Sequence, residues 1–211
     1  MKKVVCIVSV MAFFLLLATV PVLAIFPVFF IVWSIEKSFN PNHFYSKYIV
    51  IGTAFGLLTE FLAILDNLDA PPEEKILFHP DPGIDLLLGV GFYFWVAVVW
   101  AVLVKRYSFT AKSVCIIGGI WGVVVEQNAN ILLAPLQHGL IGFLFYGFVF
   151  LVYGPFMAIP VVLIDVDTLP RKERTLKHGI LAFIMLCGAY VLAGIYMAII
   201  ITILGISQWK L

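Results

Sequence analysis

Six apolar runs, each ended by a short polar or charged loop, dominate this chain. They lie near 4–35, 46–66, 84–104, 112–134, 139–164 and 179–207. A helix rises about 1.5 Å per residue, so about 20 apolar residues cross a hydrocarbon core about 30 Å thick. Only helices or closed barrels satisfy every backbone group in lipid, and these runs lack the period-two alternation of a barrel strand. With 63% hydrophobic and 12% charged residues in 211, the chain has too little charge to cover a water-facing surface. The expected fold class is all-α: a polytopic membrane helix bundle of about six spans, forming one integral membrane domain over 1–211.

Two stretches inside this frame repeat. Ile51-Gly52-x3-Gly56-x3-Glu60 returns 66 residues later as Ile117-Gly118-x3-Gly122-x3-Glu126, with Phe55 and Trp121 preceding the second glycine. Downstream, Gly89-x2-Phe92-Tyr93-x-Trp95 is echoed by Gly142-x2-Phe145-Tyr146-x-Phe148 at an offset of 53. Segments two and three (46–104) therefore read as a helical hairpin duplicated in segments four and five (112–164), between a first span and loop (1–45) and a closing span (179–211). Two spans per unit give both copies one orientation, a parallel repeat with function expected at the interface.

Positions i, i+4 and i+8 share a helix face, so Gly52, Gly56 and Glu60 align, as do Gly118, Gly122 and Glu126. Small residues let helices approach closely in lipid. A carboxyl group at mid-span costs about 2.5–3.5 kcal/mol on insertion scales, which makes Glu60 and Glu126 the candidate catalytic pair. If the two faces meet, the pair suits acid–base chemistry, proton coupling or cation binding, while helix-to-helix hydrogen bonding alone would also account for it. Asn67, Asn130, Asp66, His138, Tyr93 and Tyr146 are the candidates for a surrounding substrate or ion pocket. The acid-rich connector from Asp66 to Asp85 suits a solvated loop or a lid. It also holds weak metal-ligand candidates, Asp69, His79, Asp81 and Asp85, without a fixed ligand spacing.

Lysine and arginine counts set the expected orientation. The loops at 36–48, 105–112 and 165–178 hold nine of the 13 basic residues, which places them in the cytoplasm and both termini outside. Lys2-Lys3 pulls the other way. The first segment reads as an uncleaved span kinked at Pro21 and Pro27, although its basic start and small residues near Ala24 resemble a signal peptide. A re-entrant hairpin there would satisfy both charge signals.

Membrane lipids are the expected partners, and Ala189-x3-Ala193 with Gly194-x3-Ala198 suits bundle closure or self-association of the last span into a homo-oligomer. A net charge of +1 without a basic stripe argues against nucleic acid. Cys6, Cys115 and Cys187 lie in separate runs and read as small core residues. No pattern identifies a cofactor, and the motifs of ATP hydrolysis, zinc proteolysis and serine hydrolysis are missing from the sequence.

Phe55-Gly56-Leu57-Leu58-Thr59-Glu60 resembles the G-x-x-x-E span of membrane carotenoid hydratases, and Pro71-Pro72-Glu73-Glu74 is similar to the P-x-E-E of membrane lycopene cyclases. The resemblance covers about ten of 211 residues and favours an isoprenoid over other lipids. Two readings stand: acid–base modification of a lipid or isoprenoid, or a small proton- or cation-coupled transporter. An assembly subunit without chemistry is a third.

Overall fold

The computed structural model describes residues 1–35, 38–71 and 75–206. Lys37, most of the Pro71–Glu74 motif and Lys210 lie outside them. The described residues are 82% helical with no strand, and five apolar stretches among them are long enough to cross a membrane. In chain order the helices are α1 (Lys2–Thr19), α2 (Ile25–Ser34), α3 (Phe44–Asp66), α4 (Pro82–Arg106), α5 (Ala111–Val125), α6 (Asn130–His138), α7 (Gly142–Leu163) and α8 (Leu176–Leu204). This is a multi-pass, all-α membrane bundle.

Local chemistry sets several of these ends. The Asp81 carboxylate accepts from the backbone of Gly83 and Ile84 and starts α4, with Pro82 in the first turn, where a missing N–H costs nothing. Thr110 and Ser113 exchange hydrogen bonds at the start of α5. Gly205, at φ +63°, closes α8 in a left-handed conformation that a side chain would disfavour.

Helix α4 is the most buried span, with Leu88, Phe92, Trp100 and Leu103 enclosed. It packs beside α3 and α8, while α5 packs along α7, and α3 also touches α7. The Trp100 indole N–H reaches Met157 Sδ at 3.2 Å, joining α4 to α7.

The three basic loops meet at one end of the bundle. Phe39 N–H donates to the Leu163 carbonyl and Asp165 N–H to the Phe39 carbonyl. Ser108 N–H donates to the Lys172 carbonyl and Lys172 N–H to the Arg106 carbonyl. The Tyr107 ring stacks on His178 at 3.9 Å.

Two expected spans are not single helices. The first run turns through a 3₁₀ segment at Pro21–Ala24, and α1 packs back along α2. Lys2 and Trp33 consequently line the same cleft, about 530 Å³, with Phe109, Thr110 and Asp167 at the basic end. A folded-back hairpin thus replaces the expected kinked span, and Lys2 lies with the other basic groups. The fourth run stops at Val125 and resumes as α6 after a 3₁₀ turn over Glu126–Ala129. Helix α6 then folds back on α7, where Gly142 lies against the backbone of Ala134 and Pro135.

Candidate functional site

The two glycine–glutamate stretches form the same clamp twice. On α3, Gly56 lies under the ring of Tyr93, whose hydroxyl donates to Glu60 at 2.6 Å. After α5, Gly122 lies under the ring of Tyr153, whose hydroxyl donates to Glu126. One turn away, Gly52 faces Ala97, and Gly118 faces Met157. A Cβ on Gly52 would sit 2.8 Å from Ala97 Cβ, and one on Gly118 2.6 Å from Met157 Sδ. Gly52, Gly56 and Gly122 are therefore required by the approach of a neighbouring helix, whereas Gly118 meets the flexible end of Met157. Each approach seats a phenol on a carboxyl group four residues along.

This register departs from the expected echo. Tyr93 pairs with Tyr153 and Ala97 with Met157, an offset of 60 rather than 53. The seven-residue difference is two helical turns, so the face is preserved while the partner changes. Tyr146, the expected counterpart of Tyr93, instead donates to the Leu132 carbonyl and ties α7 to α6.

The clamps converge on one aromatic interior. Phe156 lies between Tyr93 and Tyr153, with ring centroids 5.3 and 5.7 Å away. Phe92 stacks on Trp121 at 6.1 Å, and Tyr190 of α8 meets both rings edge-on at 6.4 Å. Beside Tyr93, a cavity of about 10 Å³ is lined by Tyr48, Gly52, Trp100, Phe156 and Pro160. Such a space holds about one water. The Tyr48 hydroxyl and the Trp121 indole N–H are buried without a hydrogen-bond partner.

A third carboxyl group joins the first clamp. Asp85, fully buried, belongs to the first turn of α4, and Gly89 and Tyr93 follow it at four-residue intervals on one face. Glu60 Cγ lies 3.4 Å from where a Cβ on Gly89 would stand, so its side chain runs along that face, hydrogen-bonded to Tyr93 and facing Asp85. His79 N–H donates to Asp85 Oδ1 at 2.9 Å, while Asp85 Oδ2 has no donor.

Comparison with protein-family models, curated proteins and solved structures finds no match.

The remaining expected site residues are dispersed. Asp66 is exposed at the end of α3, and Asn67 bonds the Ala63 carbonyl and Ile76 N–H, pinning the connector. Asn130 is exposed at the start of α6, and His138 is exposed against the Phe145 ring. Asp69 is exposed, Asp81 caps α4, and His79 Nδ1 accepts from Asp81 N–H. Among the described residues no group of three or more His, Cys, Asp or Glu side chains is placed to hold a metal ion. Asp85 stood in the sequence only as a metal candidate. Its four-residue spacing to Gly89 and Tyr93 is a signal that would have marked it. Tyr190 carried no signal, because only the packing of α8 on α4 brings it in.

Proposed function

We propose that this membrane protein performs acid–base chemistry on the hydrocarbon part of a lipid, with an isoprenoid as the preferred class. The observation that carries the reading is the meeting of two glutamate–tyrosine clamps across Phe156 inside an aromatic wall. A carboxylic acid protonates a double bond only where water does not compete, and Glu60, buried among rings, meets that condition. Positive charge developing on a chain seated beside Tyr190, the exposed member of this aromatic wall, is stabilised by its ring. Glu60 and Glu126 then serve as acid and base from two sides of one interior. The short similarity to membrane carotenoid hydratases agrees with this choice of substrate. The three basic loops face the cytoplasm in this reading, as the excess of lysine and arginine there suggests.

A second reading, proton-coupled transport, is favoured by the interruption at Glu126. Gln127 and Ala129 there adopt φ of +50° and +68°. Broken spans at the junction of two helical units commonly border a transport site. One experiment separates the two: purify the protein, identify co-extracted lipids by mass spectrometry, and measure proton flux in liposomes. Bound isoprenoid converted without flux is expected. Flux that Glu126→Gln abolishes, with no lipid converted, would replace the first reading with the second.

A further inference from the structure

We propose that Asp85 is the group through which Glu60 exchanges its proton with the connector end of the bundle, so that Asp85 reloads the acid Glu60 while Glu126 remains the base. The inference rests on the acid–base reading and assigns the source of the proton. Asp85 Oδ2 is buried without a donor, and the Glu60 side chain runs along the same face of α4, its Cγ 3.4 Å from the Cβ position of Gly89, one turn from Asp85. Two facing carboxyl groups can hydrogen-bond only by retaining one proton between them. Asp85 lies three residues into α4, and Tyr93 eight residues further, about 12 Å along the axis. Asp85 is thus the outer member and Glu60 the inner one. The cover over this end is the connector itself: Phe78 packs on Phe92 at 5.6 Å, and His79 bonds Asp85 through its backbone. The ionisable groups facing the pair are Tyr93 on α4, Glu126 after α5, Tyr153 on α7 and His79 in the connector. Of these, only His79 lies on the outer side. In the cycle, Glu60 gives the shared proton to the substrate, Asp85 takes a proton from water at the connector, and that proton passes to the Glu60 carboxylate, restoring the pair with one proton. No electron is transferred. By the register of 60, the position matching Asp85 in the second clamp is Phe145, so Glu126 lacks an equivalent relay.

The test is hydrogen–deuterium exchange of the Glu60 carboxyl group, followed by its infrared C=O band in the full-length protein in bilayers and identified by its loss in Glu60→Gln. Asp85→Asn should slow the exchange by on the order of 10²-fold, as expected for removal of a positioned proton carrier. Asp85→Glu should restore it. A variant that merely loosened the helices would exchange faster. Exchange unchanged or accelerated in Asp85→Asn, or left slow in a folded Asp85→Glu, overturns the relay. The measurement needs no substrate, so its failure leaves the acid–base reading standing. Absence of lipid conversion in the wild type would remove that reading and leave the relay intact.

Discussion

Glu60 sits on an unbroken helix of 23 residues, 6% exposed, with Tyr93 on one side and Asp85 on the other. Glu126 sits where a helix stops, partly buried, with Tyr153 as its hydrogen-bond donor and two left-handed residues just beyond it. The glycine that admits the tyrosine is the same in both. The difference lies in what surrounds it. One clamp is an enclosed acid pair with a connector folded over its end. The other sits at a joint in the chain, with a helical hairpin, α6 and α7, continuing from it.

The largest effects that could break this comparison are on activity. Glu60→Gln and Glu126→Gln should each lower lipid conversion by about 10²–10⁴-fold, the usual contribution of a positioned acid or base. Turnover of the co-purified lipid class checks this. A loss confined to Glu60→Gln would show that the broken half carries no chemistry.

Next come the glycines. Gly56→Ala and Gly122→Ala drive a methyl group into the rings of Tyr93 and Tyr153, and each should cost about 1–3 kcal/mol of stability by overpacking. Unfolding in mixed micelles measures both. Equal costs would confirm equal clamps, whereas a smaller cost at Gly122 would show that the joint yields.

Removing the phenols sharpens the contrast. Tyr93→Phe leaves Glu60 facing Asp85, while Tyr153→Phe takes away the donor that holds Glu126. The second should therefore cost more, within the range of about 1–3 kcal/mol for a buried polar group left unpaired. The same unfolding assay decides.

The smallest effect tests the joint directly. Ala63 and Ala129 are matched by the 66-residue repeat, yet Ala63 is helical and Ala129 has φ +68°. Ala129→Gly should stabilise the protein by about 0.5–1 kcal/mol, and Ala63→Gly should destabilise it by about as much. Opposite signs in thermal unfolding are expected. Two losses would show that residue 129 is helical in the bilayer.

The sequence determined that this chain is a helical membrane bundle, because the length of each apolar run and the cost of unpaired backbone in lipid leave no other class. It also marked Glu60 and Glu126, since an acid in an apolar run is legible without coordinates. The partner of each acid was not legible. Sliding an aromatic helix by seven residues keeps its face and its apparent repeat, so only packing distinguishes Tyr153 from Tyr146. Nor did residues 126–129 announce a break, for they hold neither glycine nor proline. The hairpin of α1 and α2 was visible as a break at Pro21 and as a conflict between Lys2-Lys3 and the other basic loops. The burial of Asp85 against Glu60 was set by how the connector folds over α4. Local chemistry fixes which segments become helices, whereas the register between helices depends on side chains distant in the chain and is decided only when they pack.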